Sequence, residues 1–398
     1  MNVEHARPIR PGEFLATNPT DLPRFERAEL LKGGSGICLE ASDTPREYWR
    51  RGAEFLDDPG GTGLFSPGID PCRYLSLPAF LAAIDDAVLT GFRTILTPDD
   101  RFFTDEAYAQ LELLQRQLDR VAGPDPSANE RSGLAPTGRE RIFRFEPGHC
   151  PVRQIEGPVL VLSSDEPESY GSFLFCVLPK VRAARRLGLT GLPCIAFANS
   201  GSVWELLLMA AIPAGNLIEH DYNTLFHFDR AYILCLRNPH GNLDAESLAL
   251  YAELRVQFGS RRRNQRIYVS RWSLNRSGSG APRVMLNEPQ LIERLASIGF
   301  DIVEPETLTA CDQILAFTAA SLVAGPSGSG LYSTMFCHPS RRSMASQKSP
   351  TPLRISIRPK KTISSNSPGS MPPLSGIRPP PGRTIFGKTR VPDGSRHP

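Results

Sequence analysis

The chain has 398 residues, enough for two domains, but only 40% are apolar and 37 are proline, a balance that argues against one fully folded body. Its formal charge of +3 hides a split, because residues 341–398 hold 12 Lys and Arg against the single acid Asp393, which leaves 33 basic and 41 acidic residues in 1–340. An acidic body excludes a nucleic-acid-binding surface spread over the fold.

Residues 1–75 are rich in Pro, Gly and charge and are expected to be an irregular N-terminal extension, with one strand in GGSGICLEA. The Gly clusters at 33–36 and 60–63 lie between no clear strand and helix, so they are read as turns. From 76 to 245 the pattern predicts a Rossmann-like domain. LPAFLAAIDDAVLTGFRTILTPDDRFF reads as a helix or strand leading into short strands. TDEAYAQLELLQRQLDRVA is an amphipathic helix with Thr104 as its N-cap. PVLVLSS at 158–164 is a buried strand. ESYGSFLFCVLPKVRAARRLGL is an apolar helix whose basic end complements the helix dipole. LPCIAFA and SVWELLLMAAI add a strand and a helix. His220 and His227 are read as structural.

Residues 246–340 form a second Rossmann-like domain. Over 266–336 the order is strand, basic loop, helix, strand, helix, strand, Gly-rich turn, helix, which builds a parallel sheet with helices on its faces. Such sheets take ligands at the carboxyl ends of their strands. The turn Gly325-Pro326-Ser327-Gly328-Ser329-Gly330 is suited to a phosphate held by backbone N–H groups. It lacks the Lys of a P-loop, since Leu331 stands there, and the third Gly of a dinucleotide fingerprint, since Ser333 stands there. Beyond Arg341 there are 11 Pro and 10 Ser in the last 58 residues and no sustained period, so 341–398 is expected to be a disordered basic tail.

None of the eight cysteines sits in a CxxC pair, so free thiols are expected rather than a disulfide framework or a zinc site. No apolar run has bilayer length and no N-terminal h-region is seen. We therefore expect a cytoplasmic protein, with peripheral membrane association left open.

Several pieces occur together in order: SYGSFLFCVLPKV (169–181), IYVSR (267–271), RVMLNE (283–288), the block GFDIVEPE (299–306), the DQ at 312–313 and AGPSGSGLYSTMF (324–336). In this the chain resembles glycosyltransferase family 61. The resemblance implies a GT-B-like fold: an α/β protein of two Rossmann-like domains, with a nucleotide-diphosphate sugar held mainly by the C-terminal one and a saccharide as acceptor. Three departures stand out. Ser172 replaces a His that the family often carries after Tyr-Gly, Tyr332-Ser333 replaces a His/Thr-Asn, and the basic tail replaces further strands and helices. The C-terminal domain is thus expected to be incomplete, and a change of reading frame near Ser340 is the expectation that follows.

With no DxD pair in the sequence, metal-independent transfer with inversion is expected, and no cofactor beyond the donor itself. Ser270, Arg271 and Arg283 flank the basic loop, and the two guanidinium forks suit a diphosphate clamp; the alternative is arginines on a surface loop. Asn287 and Glu288 precede Pro289, as a helix start would, and the resemblance also places them in the donor cleft. Gln313 reads equally as a capping-box residue or a nucleotide contact. Asp165 and Glu168 lie in the loop after strand 158–164. They are solvated loop acids or, one of them, the base that inversion requires. The competing reading is a truncated, catalytically inactive relative.

Overall fold

The structure is a computed structural model that describes residues 9–39, 47–50, 72–75, 79–107, 114–115, 118–119, 131–198, 200–221, 223–238, 243–258, 264–276, 285–326, 328–338 and 342–346. Thr104 is described, but most of the helix expected after it lies outside these residues, as do 347–398.

In chain order the strands are β1 (Gly12–Ala16), β2 (Gly36–Leu39), β3 (Glu47–Arg50), β4 (Cys72–Leu75), β5 (Phe80–Thr90), β6 (Thr94–Leu96), β7 (Arg101–Phe103), β8 (Leu134–Pro136) and β9 (Ile142–Phe145). They continue as β10 (Val152–Leu162), β11 (Cys194–Ala196), β12 (Leu217–Glu219), β13 (Leu225–Leu234), β14 (Gln265–Val269), β15 (Asp301–Val303), β16 (Ala320–Pro326) and β17 (Arg342–Ser346). A large mixed sheet has the order β12-β11-β10-β13-β5-β6-β7-β1-β9-β8, with β2 also paired to β5. Its β12-β11-β10-β13 half is parallel, as a Rossmann-like reading requires. From β5 onward most pairings are antiparallel, which that reading did not include. The ambiguous run at 80–90 is thus a strand, because tertiary pairing on both edges decides what propensity left open. β1 and β2 belong to this sheet, so those parts of 1–75 are not an extension standing apart.

β10 slips register against β13 between Ile155 and Pro158, and Asp86 (φ 52°) and Gly157 (φ 73°) take left-handed backbone. The Asp229 carboxylate repairs the broken ladder, accepting from Gly157 N at 2.8 Å and Gln154 Nε2 at 3.2 Å.

After β10 the chain enters the expected apolar helix, but in three parts: Tyr170–Ser172, a π-helical turn Phe173–Val177, and a regular stretch Leu178–Arg186. Pro179 explains the break, since it has no N–H to offer the Phe175 carbonyl. That carbonyl instead accepts from Asn238 Nδ2 at 2.8 Å. Arg182, Arg185 and Arg186 near the helix end pair with Glu246 and Glu253 of the helix Ala245–Phe258.

The second sheet has the order β15-β14-β16-β17 and is parallel throughout. Its crossovers include the helices Glu288–Ser297 and Ala310–Ala319. Thr309 caps the latter, accepting from Asp312 N at 3.1 Å. After the Gly-rich turn comes a 3-10 segment, Ser329–Phe336, rather than the expected α-helix. β17 corrects the expected boundary at 341: residues 342–346 pair in register with β16, a contact that local composition does not encode.

One buried cluster joins the two sheets. It includes Leu160, Leu162 and Leu234 from the first, Ile267, Val269 and Val323 from the second, and Val181, Leu206, Ile314 and Phe317 from helices. Burial of this size, at ~25 cal/mol per Å² of apolar surface, is the main force holding the sheets together. Among the described residues no helix is long and apolar enough to cross a membrane.

Candidate functional site

In the second sheet β14 is followed by β15 on one side, and the chain then crosses to β16 on the other. The switch point therefore lies between the carboxyl ends of β14 and β16, where open α/β sheets bind ligands. Two segments singled out from the sequence meet there. Arg271 follows β14, and its guanidinium lies against Gly328 after β16: a Cβ on Gly328 would stand 2.7 Å from Arg271 Nη1. Arg271 itself is partly exposed. Gly325 is needed for backbone approach, since a Cβ there would meet the Val269 carbonyl at 2.7 Å. Gly330 packs on Val269 and Pro305, and Ser329 opens the 3-10 segment. Arg283 and Ser327 lie outside the described residues.

Beneath Arg271 sits Glu288, fully buried at the start of its helix. Its Oε1 accepts from Arg271 N at 2.9 Å, Ser270 Oγ at 3.1 Å and Tyr268 Oη at 3.4 Å. Its Oε2 is buried without a partner. Burial and the adjacent carboxylate both push the Tyr268 phenol well above its ordinary pKa. Ser270 is also buried; its N–H donates to Val303 O at 2.8 Å and its Oγ accepts from Trp272 N at 3.0 Å. Asn287 occupies the N-cap position but makes no side-chain cap bond.

Gln313 lies elsewhere in the hydrogen-bond pattern. Its Oε1 accepts from Tyr170 Oη at 2.9 Å, and its Nε2 donates to Pro305 O at 2.8 Å and Ser202 Oγ at 3.3 Å. It thus ties the first sheet's helices to the second sheet. Asp312, three residues after the N-cap, is the residue that meets Thr309: its N–H donates to Thr309 Oγ1 at 3.1 Å, and its Oδ2 accepts from the same hydroxyl at 2.7 Å. Burial pushes Tyr170 up to about 12. Gly171 is pressed against the Tyr332 ring, which meets Phe175 edge-on at 4.9 Å.

At the carboxyl end of β10, Asp165 is half-buried, and its Oδ1 accepts from Ser172 Oγ at 3.3 Å. Ser172 is also bonded to Ser164 at 2.8 Å. Glu168 is exposed in the same loop. Below this loop is a charge network that sequence reasoning missed. Lys180 Nζ donates to Asp105 Oδ2 at 2.6 Å and to Ser163 O at 2.7 Å. Arg93 donates to Glu106 at 2.9 Å and to Asp105 at 3.4 Å, and Arg93, Asp105 and Lys180 have no exposed surface. The available signal was a lone Lys inside the apolar run FLFCVLPKV.

His220 bonds Gly91 O at 3.0 Å, and burial lowers its pKa to about 4, so it is a neutral structural group. His227 bonds Asp86 at 2.7 Å. Among the described cysteines, Cys150, Cys176, Cys194 and Cys311 are free thiols. Among the described residues no group of three or more His, Cys, Asp or Glu is placed to hold a metal ion.

A comparison with curated proteins finds no match. The profile of the family described as Glycosyltransferase 61 matches residues 100–344, more than half of the chain and all of the switch-point residues above. The chain belongs to the glycosyltransferase 61 family, and it is a glycosyltransferase-type α/β protein acting on a sugar donor and an acceptor.

Proposed function

We propose that this protein transfers a sugar from a nucleotide-diphosphate donor to a saccharide acceptor, in surface-polysaccharide assembly on the cytoplasmic side. The donor diphosphate rests at the β14/β16 switch point. The observation that carries this is the Arg271 guanidinium seated on Gly328 at the carboxyl ends of two parallel strands. A guanidinium fork and nearby small-residue backbone stabilise the charge that develops on a departing diphosphate. The segment 246–340 then serves the donor and 76–245 the acceptor. Reaction by a single displacement inverts the anomeric centre and calls for a base. Asp165, held by Ser172, is the better-positioned carboxylate, with Glu168 its neighbour. The missing DxD pair supports transfer without a metal.

Thermal-shift screening with UDP-, GDP- and CMP-sugars tests the reading. A ligand at 100 times its Kd raises stability by about 2.7 kcal/mol. We expect one donor class to raise Tm and Arg271→Ala to abolish the rise. Turnover that survives EDTA and yields the inverted anomer by NMR completes the case. A donor shift unchanged in Arg271→Ala would overturn the placement.

The inactive-relative reading has one observation in its favour. Where the resemblance expects a His, Ser172 spends its hydroxyl on Ser164 and Asp165. Donor binding without turnover, unaltered in Asp165→Asn, would select it.

A further inference from the structure

We infer that Glu288 does not touch the donor but is the positioning residue that sets the Arg271 clamp; this rests on the diphosphate reading above. The sequence alone allowed Glu288 to be a helix-start acid or a cleft residue. Its burial now separates the two, because a carboxylate with no exposed surface is out of reach of a ligand. What it reaches instead is the peptide carrying the clamp. Glu288 Oε1 accepts the Arg271 N–H at 2.9 Å and the Ser270 hydroxyl at 3.1 Å, and Ser270 Oγ in turn accepts from Trp272 N at 3.0 Å. Three successive residues leaving β14 are thereby fixed to one carboxylate on the opening turn of the next helix. At the other end of Arg271, Nη1 occupies the space that any Cβ at 328 would take.

A backbone held in this way fixes the point from which the Arg271 side chain departs, so pre-organisation of the segment that carries the clamp is the benefit. Charge-assisted bonds to an N–H and a hydroxyl are strong enough to hold that backbone. The other oxygen, Oε2, is buried and makes no hydrogen bond. One oxygen does the holding, and the amide oxygen of a Gln can replace it.

The test is a double-mutant cycle read by calorimetric titration with UDP, GDP and inorganic pyrophosphate, with circular dichroism and Tm recorded on every variant. Glu288→Ala should weaken binding about tenfold, and Glu288→Gln should recover most of it, because a single acceptor oxygen is retained. In an Arg271→Ala background Glu288→Ala should have no further effect on the residual affinity, since it acts only through Arg271. Ser270→Ala, which leaves the Arg271 N–H bond in place, is the milder second variant and should weaken binding about twofold to threefold. Equal losses from Glu288→Ala with and without Arg271 would mean an independent contact and would overturn the inference while leaving the diphosphate reading intact. So would a lowered Tm with unchanged affinity per folded molecule. If the wild-type protein binds none of the three probes, the diphosphate reading falls and the inference falls with it.

Discussion

At the carboxyl end of β10 in the large sheet, Lys180, Asp105, Arg93 and Glu106 close on one another with almost no exposure. At the carboxyl end of β14 in the small sheet, a single buried carboxylate holds the backbone while Arg271 stays partly exposed beside Gly328. Both places lie where parallel strands end, and both carry charge. In the first, each charge is neutralised by a neighbour in a low-dielectric interior, so it can hold a loop but has little to give a ligand. In the second, one carboxylate oxygen is spent on peptide and hydroxyl donors, and on the reading proposed above the partly exposed Arg271 is the group that meets the phosphate.

The sharpest way to break this contrast is Asp105→Ala. It leaves the buried Lys180 ammonium without a carboxylate while Arg93 keeps Glu106, and we expect about 3–5 kcal/mol of lost stability in urea unfolding. Arg271→Ala should stay within about 0.5 kcal/mol of wild type. Comparable losses at the two positions would erase the distinction between a sealed and an open strand end.

A smaller effect concerns His220, another sealed group of the large sheet. Its folded pKa of about 4 lies below the ordinary 6.5, so between these values the unfolded chain binds more protons. Stability is therefore lost as pH falls from 6.5 towards 4, by about 3 kcal/mol in total from this group. Urea midpoints at pH 7 and pH 4.5 should differ less in His220→Gln than in wild type. An identical pH dependence in both would show that burial of this ring is not what sets it.

The finest comparison lies within the Gly-rich turn. Gly325→Ala pushes a methyl against the Val269 carbonyl, which is backbone and cannot yield, and should cost about 1–3 kcal/mol in thermal melts. Gly328→Ala meets only the flexible end of Arg271. Its Tm should hardly move, while nucleotide binding weakens because the guanidinium is displaced. The reverse pattern would mean that Arg271 has another seat.

Much of the second sheet could be read from the chain, because short β-rich runs, capped amphipathic helices and a Gly-rich turn each leave a local mark. IYVSR and AGPSGSG were legible as strand ends for that reason. Gln313 read equally as a capping-box residue or a nucleotide contact, and of the two neighbours it is Asp312 that bonds Thr309, a choice only the hydrogen bonds make. The long antiparallel half of the large sheet was not legible. The run 80–90 is apolar on both faces around an Asp85-Asp86 interruption, so neither period of 2 nor of 3.6 stands out.

By itself the sequence determined the alternation of elements in 266–336, the acidic body and basic end, and the arginines and small residues that the proposed reading assigns to a diphosphate. Those follow from local periodicity, composition and side-chain chemistry, which need no partner to be expressed. Only the tertiary structure decided that Arg271 meets Gly328, that Glu288 is buried beneath them, and that Lys180 points inward to Asp105. Those three outcomes depend on which strands become neighbours, and strand adjacency is set by burial shared between residues far apart in the chain.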